Sequence, residues 1–329
     1  MEEGVESLAG VSLTKCGLYD VTVIMTAHNE ARFIRDAVTS VQMQTHRPRE
    51  LILVDDGCTD ETVEIARSIA VDFPLRVLRN VQPTGASPAR NWGLREARTE
   101  WVAILDADDV WMPEKLEEQF RFIEAWDGQW PIAVLGSMGR HINEAGRDIG
   151  VCEIGVTSAE AFWGNLQDGG LPCIVHSSAL FRREDALAVD SYVDDGAEDL
   201  ELWERMSDLT AGVVISLDKS LVLYRKKRGG KMHTNVWAQC LNLDRLSANR
   251  RRRQEGLPPL TREEYVAFLR SQRLRERVRR WLRWKAVKNY RFGATNYVNG
   301  RKFVGSGQLS IAMLLNPGRV RSGIRRFRR

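Results

Sequence analysis

Residues 101–109 read Trp-Val-Ala-Ile-Leu-Asp-Ala-Asp-Asp, a buried-type apolar run that stops abruptly on Asp106, Asp108 and Asp109. Five consecutive apolar residues bounded by polar ones read as a strand covered on both faces. Carboxylates at the end of such a strand carry a desolvation cost that a cation or hydrogen-bond donors must offset. A hard divalent cation, held by one or two carboxylates together with substrate phosphates, meets that need. An acidic turn ahead of the helix that follows Pro113 is the plainer alternative, because negative charge also suits a helix N-terminus.

The flanking sequence favours the first reading. Residues 21–26 (VTVIMT) and 51–54 are further apolar runs and 75–78 (LRVL) reads as a third strand, each followed by helical periodicity over 30–44, 59–70 and 88–97. Pro88 suits a first helical turn, where its missing N–H costs nothing. A helix from Pro113 to about Trp126 follows the fourth run. This alternation predicts an α/β fold with a mostly parallel sheet covered on both faces. In such sheets ligands bind beyond the carboxyl ends of the strands. Segments 26–30, 55–57 and 106–109 are therefore expected along one polar rim.

On that rim, Thr26, His28 and Glu30 are candidates for a nucleobase or ribose, and Asp56 for a base N–H, with Gly57 permitting a sharp turn. Arg90, near the start of the third helix, is a candidate phosphate ligand. Further on, 143–146 reads as a hairpin turn, 174–181 as a strand, 199–209 as a helix and 213–224 as a closing strand pair. Asp199 is a candidate general base for an acceptor hydroxyl, or a helix cap. Pocket selectivity is expected around His141, Trp163 and His176.

Composition limits the classes available. With 43% hydrophobic and 28% charged residues over 329 positions, the chain is globular. Its five scattered cysteines form no C-x-x-C pair, which argues against a zinc site or a disulfide framework and for reduced thiols. The opening MEEGVESLAG is acidic and unlike a secretory leader, and no apolar run reaches the length of a membrane span. The net charge of +4 hides a division: residues 221–329 hold 29 Lys and Arg against 5 Asp and Glu. In that region Leu274, Val278, Trp281 and Leu282 form an apolar stripe opposite arginines. Basic amphipathic helices of this kind suit an anionic membrane surface, or a solvated appendage or dimer contact, better than nucleic acid.

The motifs VIMTAHNE (23–30), LILVDDGCTDET (51–62), GASPARNWGL (85–94), WVAILDADDVWMPEKL (101–116) and GAEDLELWERM (196–206) together resemble the family-2 glycosyltransferases of the GT-A fold. The resemblance implies an inverting transferase that moves a sugar from a nucleoside-diphosphate sugar to a carbohydrate or lipid-linked acceptor. It implies that Thr26, His28 and Asp56 bind the base, that Arg90 lies near the nucleotide, and that Asp106 meets the ribose and diphosphate. Asp108 would hold Mn²⁺ or Mg²⁺, and Asp199 would deprotonate the acceptor. The chain departs from the family where Thr26-Ala27-His28 replaces Pro-x-Tyr. It departs again where YRKKRGGKMHTN (224–235) replaces an Arg–His–Gly–Asn-like segment, with His233 displaced. The Q-x-x-R-W signature of processive synthases is absent, so transfer of single sugars is expected.

Three parts are expected: an extension over 1–19, a GT-A domain over 20–228 and a basic helical region over 229–329. The expected location is cytoplasmic, either free or peripheral on the inner membrane face. Two other functions share the sheet topology: a sugar-1-phosphate nucleotidyltransferase and a non-catalytic nucleotide-sugar-binding protein. The former needs a glycine-rich loop after the first strand, and TAHNEARF has none.

Overall fold

The computed structural model describes residues 20–193, 196–229 and 235–316. The expected extension over 1–19, His233 with the rest of 230–234, and the Arg-rich end 317–329 lie outside the described residues. The first half alternates as expected: β1 (Val21–Ala27), α1 (Ile34–Gln42), β2 (Glu50–Asp56), α2 (Thr62–Arg67), β3 (Leu75–Asn80), α3 (Ala86–Glu96) and β4 (Trp101–Asp106). β5 (Val110–Trp111) and α4 (Lys115–Glu124) follow. The second half contains β6 (Ile132–Asn143), β7 (Asp148–Cys152), α5 (Ala159–Gln167), β8 (Leu180–Arg182), α6 (Arg183–Ala188), α7 (Glu198–Thr210) and β9 (Val213–Lys226). Four helices complete the described chain: α8 (Val236–Gln254), α9 (Arg262–Ser271), α10 (Leu274–Val298) and α11 (Lys302–Leu315).

One mixed sheet runs β3-β2-β1-β4-β8-β6-β9-β5, with β7 paired to β6. β3, β2, β1 and β4 are mutually parallel, whereas β8 lies antiparallel between β4 and β6. The continuous apolar strands are explained by two cores. Ile24, Ile52, Val54 and Ile104 face one layer, while Val23, Met25, Leu51, Leu53 and Leu105 face the other. Strand side chains alternate, so burial on both faces requires an apolar residue at every position. α3 lies close to the sheet because residue 93 is glycine: a Cβ there would come within 2.7 Å of Ile24 Cγ2.

Two sequence expectations are corrected. Residues 174–181 are not one strand. His176–Ser178 form a 3₁₀ turn, and β8 begins only at Leu180. The buried Ser178 hydroxyl donates to the Val175 carbonyl at 2.6 Å, a local bond that competes with a strand ladder. Residues 213–224 are not a strand pair but part of one 14-residue strand, β9, running parallel to β6. Its polar stretch around Asp218 and Lys219 is absorbed by register shifts against β6 rather than by a reversal. The expected turn at 143–146 does close a hairpin, between β6 and β7, with Gly146 at φ 76°.

Candidate active site

The register of the parallel strands creates the rim. Thr26 pairs with Asp106 across β1 and β4, and Ala27 with Asp55 across β1 and β2, so three polar strand ends finish level. They open onto a cleft of about 1010 Å³ lined by Thr26, His28, Glu30, Asp56, Arg90, Asp106 and Asp108, among others. Seven of the eight predicted site residues thus meet at one cavity.

Each strand end is braced differently. Asp55 is fully buried and accepts from the Cys58 amide at 2.7 Å, fixing the turn at Gly57. Gly57 itself sits at φ +72°, and a Cβ there would lie 2.8 Å from Pro83 N. Asp56 gathers the loop after β3: it accepts from Asn80 Nδ2, the Thr84 amide and hydroxyl, and the Gly85 amide, all at 2.8–2.9 Å. Burial pushes its carboxyl up, but these donors outweigh it and hold the group below the ordinary value. His28 donates from Nδ1 to the Asp56 carbonyl at 2.8 Å, which anchors its ring on the rim.

Asp106 is the centre of a second network. Arg90 Nη2 binds its Oδ1 at 2.7 Å and His176 Nδ1 lies 3.3 Å from its Oδ2. Burial opposes ionisation, yet Arg90 and His176 hold the carboxyl well below its usual range. Arg90 lies in the body of α3 and only 6% of it is exposed; its second terminal nitrogen reaches Glu198 at 3.4 Å. Two carboxylates already claim the guanidinium that the sequence marks as a phosphate ligand. His176 also contacts the Tyr192 hydroxyl at 3.2 Å and stacks on Trp203.

Asp108 faces a cation from its own chain. Lys227 Nζ lies 2.9 Å from Asp108 Oδ2 and also bonds to Glu30. Burial, with the charges of Asp108 and Asp106, raises the Glu30 carboxyl despite Lys227. Asp109 is buried, and burial with the same neighbouring charges raises it well above its ordinary value. It accepts from the Arg225 amide at 2.7 Å and has a supporting rather than a lining position. Among the described residues no cluster of three His, Cys, Asp or Glu side chains surrounds a single point. The all-oxygen pair Glu30 and Asp108, converging on one positive charge, nevertheless suits a hard cation that takes few protein ligands and completes its shell from phosphates.

Asp199 does not line this cleft. It is the second residue of α7 rather than its cap, which is Ala197. Burial, first, and the neighbouring Glu198 raise its carboxyl, while His176 and Arg90 oppose that rise. Trp163 is likewise away from the cavity, packed against Phe162 and Trp130. His141 does line it, with its ring 5.6 Å from that of Tyr224.

The basic cluster at the end of β9 divides its work. Arg225 is buried and donates to the Asp108 carbonyl at 2.7 Å, while Lys226 and Lys227 line the cleft. The sequence reading missed one wall altogether. Tyr290, Arg291, Ala294, Thr295 and Val298 on α10 face the cavity, and Asn299 donates to the Lys226 carbonyl at 2.7 Å. The only hint in the sequence is the run of small residues Gly293-Ala294-Thr295 inside an otherwise bulky helix.

Residues 22–187 match the model of the family described as Glycosyl transferase family 2. The chain belongs to glycosyl transferase family 2. Among family relatives, the Escherichia coli enzyme named UDP-Glc:alpha-D-GlcNAc-diphosphoundecaprenol beta-1,3-glucosyltransferase WfaP is 36% identical over 104 residues, covering 32% of this chain and 41% of WfaP. Across five curated relatives the aligned stretch covers between 19% and 42% of the relative's own length. Two solved structures share the fold. S. aureus TarS 1–349 in complex with UDP-GlcNAc superposes with a TM-score of 0.56 at 18% identity, covering 90% of this chain and 88% of TarS. The mannosyltransferase PcManGT of Pyrobaculum calidifontis, in complex with GDP-Man and Mn2+, gives 0.55 at 17% identity, covering 98% and 88%. The sheet and its flanking helices are therefore a GT-A fold, extended by the C-terminal helices.

Proposed function

We propose that this family member is a metal-dependent, inverting glycosyltransferase that moves one sugar from a nucleoside-diphosphate sugar to an acceptor hydroxyl. The observation that carries the reading is the meeting of Thr26, Asp56, Asp106 and Asp108 at one cleft, beyond the carboxyl ends of parallel strands. A cavity of about 1010 Å³ is roomy enough for a nucleotide sugar. The donors held by TarS and PcManGT, UDP-GlcNAc and GDP-Man, belong to that substrate class, and PcManGT also holds Mn2+.

In this reading Thr26, His28 and Asp56 flank the base, and Asp106, locked by Arg90 and His176, orients the ribose and diphosphate. Asp108, with Glu30 beside it, would hold a divalent cation; that ion would offset the charge developing on the departing nucleoside diphosphate. Lys226 and Lys227 add positive charge along the same wall of the cleft. Acting as base requires the acceptor hydroxyl to reach Asp199 beside His176 and Arg90, outside the cleft lining; there Asp199 accepts the proton as oxygen attacks the anomeric carbon opposite the leaving group, which inverts that centre. Its raised proton affinity suits a base that must take a proton late. In this reading the acceptor is a glycan, lipid-linked like the GlcNAc-diphosphoundecaprenol in the name of WfaP, and the protein works in the cytoplasm at the inner membrane face.

Thermal shift with UDP-, GDP- and dTDP-sugars, with and without Mn²⁺, tests the donor claim. A true donor at a hundred times its Kd stabilises the fold by about 2.7 kcal/mol. If no nucleotide raises Tm under either condition, the reading is wrong.

A further inference from the structure

α11 has a face that the cleft does not use. It lies hard against α10: a Cβ on Gly305 would come 2.6 Å from the Tyr297 nitrogen, and one on Gly293 2.9 Å from the Leu309 side chain. That contact occupies the side of α11 bearing Gly305, Leu309 and Ala312. Directed away from it are Phe303, Val304, Ile311 and Leu314, which are 94%, 49%, 43% and 85% exposed. Their spacing puts all four within one helical face. A helix that is apolar on both sides belongs in a buried setting, and here one side lacks any cover among the described residues. No described helix is long and apolar enough to cross a membrane, so burial by spanning is not available.

Charge selects the occupant. Residues 277–316 contain nine Lys and Arg and no Asp or Glu, and residues 317–329 add six Arg and again no acid. Two copies meeting through this face would bring two uninterrupted positive segments together. An anionic lipid surface offers both an apolar interior and phosphate charge. α10 also carries exposed Leu274, Val278 and Trp281 at intervals of four and three.

We propose that the outward face of α11 docks this protein on an anionic phospholipid bilayer, with Phe303 and Leu314 inserted at the acyl boundary. Because α10 both lines the cleft and carries α11, docking holds the cleft about one helix layer, roughly 10 Å, from the lipid surface. That is the side from which a lipid-linked acceptor would reach it. This last consequence rests on the glycosyl-transfer reading; the docking does not.

The test is flotation of the full chain with vesicles of phosphatidylcholine alone or mixed with phosphatidylglycerol, at low and high salt. The wild type is expected to float with the mixed vesicles and less so in salt. Phe303→Asp combined with Leu314→Asp is expected to cut the floated fraction at least about tenfold. Phe303→Gln with Leu314→Gln serves if the charged pair fails to fold. Wild type that stays soluble at low salt overturns the proposal, as does a folded double variant that floats equally well. So does a wild-type dimer, measured by sedimentation, that the variant dissociates without any flotation. Thermal shift with nucleotides on the same samples separates the two readings, since a donor response without flotation removes only the docking.

Discussion

Arg90 holds Asp106 at 2.7 Å through one terminal nitrogen and Glu198 at 3.4 Å through the other, joining α3, the end of β4 and the start of α7. A single guanidinium thereby ties the donor side of the cleft to the helix that carries Asp199.

Removing that guanidinium takes away the cation that Asp106 and Glu198 share, while His176 stays beside Asp106. Breaking a buried ion pair costs about 3–5 kcal/mol. Asp106 keeps partial access to water, so Arg90→Met is expected near the lower end, measured by urea denaturation. Nucleotide binding should weaken with it. A variant as stable as the wild type would show that the network does not hold the site together.

Asp199→Asn keeps the size of the side chain and removes its basicity. Loss of a general base costs about 10²–10⁴-fold in rate. Turnover should fall in that range while the thermal response to nucleotide stays unchanged. An unaltered rate would remove Asp199 from the mechanism.

Burial pushes the Lys226 ammonium down to about 8, with Arg291 acting in the same direction and Cys152 and Asp109 against it. Below that pH the cleft wall is charged, and anion binding favours the charged form. Affinity for a nucleoside diphosphate should therefore decline as pH rises above about 8, by up to about tenfold per pH unit over the interval between the free and bound values. Stability has the opposite sign. The folded value lies below the unfolded one of 10.5, so the unfolded chain binds more protons between about 8 and 10.5. Lys226 thus makes stability rise with pH across that window. Calorimetry on Lys226→Arg, whose charge persists, should show a flattened affinity profile. A profile identical to the wild type would rule out Lys226 as the titrating group.

Gly93→Ala places a methyl 2.7 Å from Ile24 Cγ2 within the core between α3 and β1. Overpacking of this kind costs about 1–3 kcal/mol. A lowered Tm is expected, and an unchanged one would mean that α3 shifts without penalty.

The first four strands were legible because their signal is local: β-branched apolar runs ending on polar residues need no distant partner to be read. The 3₁₀ turn at His176 was not, because Val-His-Ser-Ser offers a strand-like pattern until the Ser178 hydroxyl bonds the Val175 carbonyl and Ser177 turns to Asp109. Likewise β9 reads as two strands when its polar middle is taken for a turn, and only pairing along β6 makes it one.

By itself the sequence determined the α/β class, the family motifs and the identities of the rim residues, since strand register brings Thr26 level with Asp106 once the sheet forms. Tertiary structure alone decided their partners. Arg90 meets Glu198 across 108 positions and Lys227 meets Glu30 across 197. It also decided that a helix read as surface forms a cleft wall through Thr295, and that α11 turns Phe303 and Leu314 outward. Periodicity reports which residues share a face, but not what the rest of the chain brings against it.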